Sequence, residues 1–263
     1  MKQNKEKKID VDYSNDIVPK EVRKRLLDMF MIMLGFTFFS GSMWAGQKVA
    51  EGLELVGFVE SLIIGGCILS TYTGLLGYIG AKTGMSFDIL ARKALRIKGS
   101  YIPSAMISFT QIGWFEVGIA MFAIPISNYY LGGSKLGEWL LIIVAGACMT
   151  ASAYFGITSL TLVSYLAVPA VAIFGTYATI QAVMQGDTSF VDRFTSNSGT
   201  ISVISGVNLV VGFFISGGTT TPNFARFSKT DKAGAITTAV AFFDWKFFDD
   251  YYGWCCVCMC WWK

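Results

Sequence analysis

Apolar and polar positions alternate along this 263-residue chain in long blocks rather than residue by residue. Averaged over a window of about 19 residues, hydropathy separates six apolar blocks, roughly 29–47, 55–80, 101–127, 138–156, 160–184 and 200–219, and a seventh that begins near Ala233. Blocks of this length match the ~20 residues that an α-helix needs to cross a hydrocarbon core about 30 Å thick. In lipid, each backbone N–H and C=O must find its partner inside the segment, so the blocks predict helices. Membrane strands would show shorter stretches of strict alternation, and the chain has none. The pattern predicts an all-α polytopic membrane protein.

The polar stretches between the blocks differ in charge. Eight Lys or Arg precede Met29, five lie in 81–99 (Lys82, Arg92, Lys93, Arg96, Lys98), and 220–232 holds Arg226, Lys229 and Lys232. The intervening loops hold one each, at Lys48, Lys135 and Arg193. Because every second loop is basic, the positive-inside rule puts the amino terminus in the cytoplasm of a protein in the cytoplasmic membrane. The alternation also supports the helix count, since one miscounted span would break it. Residues 1–28 then form a cytoplasmic tail and 29–243 a membrane domain.

Composition agrees with lipid as the solvent. The chain is 53% hydrophobic, only 15% charged and has no histidine, and its mean hydropathy is +0.52, which is too oily for a soluble domain of this size. A net charge of +3, with the cations confined to one end and two loops, argues against a nucleic-acid surface. Cys67 and Cys148 sit singly in apolar spans, while Cys255, Cys256, Cys258 and Cys260 crowd the last nine residues. Neither arrangement forms a disulfide framework, and without histidine the cluster fits no familiar zinc spacing. The polar first 28 residues lack a small-residue cleavage site, so no removable signal peptide is expected. An enzyme is also disfavoured, because no paired carboxylates and no nucleophile–base arrangement appear.

Two of the six spans are interrupted by glycine together with serine, threonine or proline. The first reads MLGFTFFSGSMWAGQ, with Gly35, Gly41 and Gly46; the sixth reads VVGFFISGGTTTPNF, with Gly212, Gly217, Gly218 and then Pro222. Small residues at helix–helix contacts explain many such glycines. Interruptions at corresponding places, helix one and helix six, instead point to a five-plus-five inverted-repeat transporter, in which unwound backbone lines substrate and ion sites. Freed carbonyls there can coordinate a cation, and helix N-termini can face polar substrate groups.

The third span, SFTQIGWFEVGIAMFAIP from Ser108 to Pro125, carries polar groups in an apolar setting. Gln111 and Trp114 are three apart and share a helix face, whereas Glu116 points largely elsewhere. An amide beside an indole can recognise a flat heterocycle, with donor and acceptor on one group and a stacking surface on the other. Packing alone, with Trp114 towards lipid and Gln111 bonded to a neighbouring helix, is the competing reading.

Four segments together, MLGFTFFSGSMWAG, GLLGYIGAKTGMSFDILAR, TQIGWFEVGIAMFAIP and FISGGTTTPNFARF, resemble the cytosine permease group of the nucleobase:cation symporter-1 family. The resemblance runs from about Leu26 to Phe243 in order. It implies twelve helices, the first ten in the inverted repeat, and uptake of a small nucleobase together with a coupling cation, sodium or proton, without another cofactor. It further implies that Trp114 and Phe214 are the two stacking walls, that Gln111 bonds the edge of the base and that Ser216 adds a polar contact. Backbone carbonyls of Gly35 and Phe39 would help hold sodium. Two positions depart from the family pattern: Phe213 stands where a small polar residue is expected, and Glu116 replaces a glycine. An ionisable group within a span is a functional candidate by default, but the face of Glu116 favours a structural pair or a neutral acid. Glu60 falls near the outer end of helix two and needs no special role.

After AITTAVAFF the chain changes abruptly to DWKFFDDYYGWCCVCMCWWK, with four acidic or basic side chains where helix seven should continue. Removing one nucleotide from the Asp244 codon and reading on permits IGNSLMIIMGGVVCACVGG, an apolar string that resembles the family's helix seven. Residues 244–263 are therefore expected to be an out-of-frame tail, and the chain to be an incomplete symporter lacking helices seven to twelve. The alternatives are a membrane ligand-binding or interaction protein with a genuine tail, and a symporter for allantoin, hydantoin or another base.

Overall fold

A computed structural model describes residue 13 and residues 16–38, 40–185 and 200–243. All regular structure among them is helical apart from one isolated parallel bridge between Lys24 and Ser228. The elements are α1 (Leu26–Thr37), α2 (Ser40–Gly52), α3 (Leu55–Thr83), α4 (Phe87–Tyr130), α5 (Lys135–Tyr154), α6 (Gly156–Gln185), α7 (Val203–Thr219), α8 (Thr221–Ala225) and α9 (231–243). A short 3-10 turn, Lys20–Val22, precedes α1. Among the described residues, four helices are long and apolar enough to cross a membrane, or five if the bent pair α1 and α2 is one span.

The first apolar block is indeed two helices. α1 stops at Thr37, Phe38 turns to an extended conformation, and α2 continues at 56° to α1. The sixth block, by contrast, is one uninterrupted helix, and the break expected at the glycine pair falls only at its end. Helix α7 runs through Gly217 and Gly218 to Thr219, where the Thr220 N–H bonds the carbonyls of both glycines. Pro222 explains the position: it lacks an N–H and its ring would meet the carbonyl four residues back, which favours the first turn of a new helix. That helix is the five-residue α8.

Two connections differ from the sequence expectation. The basic stretch 81–99 is largely helical, because α4 begins at Phe87 with Ser86 as its cap. A positive φ of 61° at Arg96 divides α4 into a short arm, 87–95, and a long arm, 97–130. Helices α5 and α6 meet almost without a loop, at Phe155 and Gly156, whose φ of +70° supplies the reversal.

Two apolar clusters hold the bundle. One joins Val49 of α2, Leu53 just beyond it, Phe58, Leu62 and Leu69 of α3, Val210 and Phe214 of α7, and Phe242 of α9. The other joins Val18, Met29, Ile32 and Met33 to Ile157 and Val168 of α6, Phe227 and Ala241. Without a hydrophobic driving force in lipid, close backbone approach supplies the packing energy. A Cβ on Gly77 would lie 2.7 Å from the Gly234 carbonyl, so α3 and α9 touch only because neither residue has a side chain.

The segment before α1 is docked onto the bundle. Val18 is buried and its N–H bonds the Gly84 carbonyl. Arg23 Nη1 donates to the Ala81 carbonyl at 2.6 Å, while its Nε and Nη2 donate to Val18. Lys24 exchanges backbone hydrogen bonds with Phe227 and Lys229, and the buried Arg226 reaches the Tyr13 carbonyl. Residues 244–263, expected above to be out of frame, lie outside the described residues.

Candidate functional site

Helices α1, α4, α5, α6, α7 and α8 surround a cavity of about 610 Å³. Its wall includes Gly35, Phe36 and Phe38 from the end of α1, Gln111, Trp114 and Gly118 from α4, and Phe213, Phe214 and Gly217 from α7. Phe224 of α8 and a row of mostly small residues on α5 and α6, among them Thr150, Ser152, Ala153, Ser164 and Ala167, complete it. The volume falls within the range of small-molecule pockets, which are mainly apolar with a few placed polar groups.

Gln111 and Trp114 share this wall, as three-residue helical spacing requires. The indole is held on two sides: its Nε1–H donates to Ser216 Oγ at 3.1 Å, and its ring packs on Phe213 with centroids 4.5 Å apart, tilted by 57°. Ser216 is thereby an acceptor for the indole and retains its own O–H as a donor. Gln111 Nε2 is buried and has no hydrogen-bond partner among the described residues. An amide donor left unpaired away from water costs about 1–3 kcal/mol, and Gln111 is one of the residues that line the cavity. The other such atom is Thr221 Oγ1, at the break between α7 and α8.

Phe214 also lines the cavity, but most of its ring is buried, edge-on to Phe36 at 6.0 Å and to Phe242 at 5.2 Å. Gly35 is on the wall beside α6, where a Cβ would lie 2.5 Å from Ser164 Oγ. Phe39 lies outside the described residues. Glu116 is exposed and does not line the cavity; Glu60 is exposed on α3.

Sequence reasoning did not anticipate Phe36, Phe224 or the α5–α6 wall. Spacing alone could have placed Phe213 near the site, since it is one turn from Gly217 on the same face. Thr150, Ser152 and Ser164 gave no usable signal, because isolated small polar residues are common in membrane helices.

A bundle of apolar helices, several of membrane length and with the α1–α2 span bent beside a cavity, defines a helical multi-pass transporter fold. Residues 17–245 match the family model described as permease for cytosine/purines, uracil, thiamine, allantoin, and the chain belongs to that family. It is 42% identical over 234 residues to the cytosine permease of Escherichia coli strain K12, and equally so to that of strain O157:H7. These alignments cover 89% of this chain and 55% of each relative, so the chain spans about half the length of the curated relatives it matches. The fold is similar to that of Mhp1, a nucleobase-cation-symport-1 family transporter solved in a closed conformation with bromovinylhydantoin bound. There the TM-score is 0.78 at 17% identity, covering 92% of this chain and 56% of Mhp1. The relatives are permeases by name, proteins of transport and not of catalysis.

Proposed function

We propose that the cavity is the nucleobase site of a cation-coupled symporter of the cytoplasmic membrane, with cytosine as the favoured substrate. The observation that carries this reading is the buried, unpartnered Gln111 Nε2 beside the fixed indole of Trp114. A planar base stacks on Trp114, accepts from Gln111 through a ring carbonyl or ring nitrogen, and takes a further donor from Ser216. Phe214 offers the facing ring through the edge that it exposes to the cavity. The names of the relatives, cytosine permeases at 42% identity, support cytosine over other flat heterocycles.

The coupling cation, sodium or proton, has its fitting neighbourhood at the end of α1. There the helix stops at Thr37, and carbonyls of a final turn run out of intrahelical donors. Gly35, on the cavity wall, and Phe39 would present carbonyl oxygens to it. Translocation by this fold rests on one repeat rocking against the other, and the chain spans 55% of its relatives. The family match runs to residue 245, beside the point at which the reading frame argument places the break. That coincidence supports reading 244–263 as out of frame, and the alternation of basic loops supports an amino terminus in the cytoplasm.

The test is uptake of radiolabelled cytosine by cells carrying the gene with one nucleotide removed at codon 244. Restored uptake that falls at least tenfold with Trp114→Ala is the expected result, whereas the unrestored gene gives none. Uptake of allantoin or hydantoin in place of cytosine would move the specificity within the family. A Trp114→Ala protein that transports normally would overturn the site.

A further inference from the structure

The two arms of α4 form a helical hairpin with a cationic tip. Asp88 accepts a hydrogen bond from Ser104, sixteen residues later. In a straight helix those residues would be about 24 Å apart at 1.5 Å per residue. The positive φ at Arg96 therefore folds the short arm back along the long one, with residues 88 and 104 at the open end and Arg96 at the apex. Non-glycine residues seldom adopt this backbone, and it persists only where the surroundings impose it. Here the open end is the clamp: Ser86 caps the short arm, the Phe87 N–H donates to Asn223 Oδ1 at 2.8 Å, and Ala91 and Ser100 are buried between elements.

The tip gathers four cations within seven residues: Arg92, Lys93, Arg96 and Lys98. All four are exposed, and none of their side chains makes a hydrogen bond or ion pair with another described residue. Leu95 and Ile97 stand exposed between them at 52% and 68%. Tyr101, also exposed, lies about one turn further along, where the apolar span begins. Tyrosine favours the level of the lipid headgroups, which, with the short arm folded back, sets the four cations between about 1.5 Å (Arg92) and about 7.5 Å (Arg96) beyond that level at helical rise, within one Debye length at physiological salt.

We propose that the tip of this hairpin binds the headgroups of anionic phospholipids. The complementarity is of charge and of depth: unpaired cations interleaved with exposed aliphatic side chains, at the end of a membrane-spanning helix, match an anionic leaflet surface better than a soluble anion. Each cation near such a surface is worth roughly fivefold in binding. This reading depends on the membrane fold and not on the identity of the transported base.

The test uses the full chain purified in detergent and mixed with equal amounts of dioleoylphosphatidylglycerol and dioleoylphosphatidylcholine, with bound lipid counted by native mass spectrometry. The expected result is at least tenfold more phosphatidylglycerol than phosphatidylcholine retained, shrinking as ammonium acetate is raised from 0.1 to 0.5 M. R92Q/K93Q/R96Q/K98Q should bring the ratio within about twofold of unity, while the charge-preserving R92K/R96K and K135Q, at the opposite end of the bundle, keep it. Should the quadruple variant fail to fold, R92Q/K93Q and R96Q/K98Q separately should each lower the ratio. Equal retention of the two lipids by the wild type, a preference that survives the quadruple variant, or displacement of the lipid by inorganic phosphate at equal concentration would overturn the proposal.

Discussion

Trp114 has two fixed sides, and the residue that braces its ring is Phe213, at a centroid separation of 4.5 Å. An aromatic pair of this kind contributes about 0.5–1.5 kcal/mol beyond area burial. Phe213→Ala should remove this brace from the indole and weaken cytosine binding about three- to tenfold. Equilibrium binding of labelled cytosine to the frame-restored protein is the check, and unchanged or tighter binding would show that Phe213 does not position the indole. The sequence marked Phe213 as a departure from the family pattern but offered no hint of this contact, because the register of α7 against α4 is a tertiary fact. The Gln111–Trp114 pair, by contrast, was readable from three-residue spacing alone, since both residues lie on one helix and need no partner to share a face.

At the scale of elements, what could be read was decided by backbone chemistry. The break in α1 and the stop at Pro222 follow from local rules, as does most of the span list. The elbow at Arg96 does not: nothing in the composition of 87–104 requires a positive φ at an arginine, and the fold imposes it through the clamp at the open end. The contact of α1 with α6 depends on Gly35, whose Cβ would meet Ser164 Oγ. Gly35→Ala should lower stability by about 1–3 kcal/mol through overpacking, and adding Ser164→Gly should recover most of it, as read by thermal unfolding in detergent. A comparable argument applies to the segment before α1. Arg23 donates to the carbonyls of Ala81 and Val18, and Arg23→Met keeps the aliphatic stem but removes the donors. A loss of about 1–3 kcal/mol is expected, with faster proteolysis ahead of Leu26 as the second readout. If neither moves, the docking of that segment does not contribute to stability.

For the whole molecule, the basic hairpin tip and the docked amino-terminal segment should share a side of the membrane. Both converge on the same end of the bundle: Arg23 bonds Ala81 near the end of α3, Lys24 pairs with 227–229, and Phe87 bonds Asn223. The cations there are Arg23, Lys24, Arg92, Lys93, Arg96, Lys98, Arg226 and Lys229, whereas the opposite end, at the turn between α4 and α5, has Lys135. A charge difference of this size orients a polytopic protein with the basic end in the cytoplasm. In a background with the native cysteines replaced by serine, Lys93→Cys should react with a membrane-impermeant maleimide only in inverted vesicles, and Lys135→Cys only in intact cells. Reaction of both from one side would contradict the helix count, because α4 has to cross between them. Reaction in the reverse pattern would leave the fold intact and place the anionic-lipid contact of the hairpin in the outer leaflet, so this one labelling experiment separates an error of topology from an error of orientation.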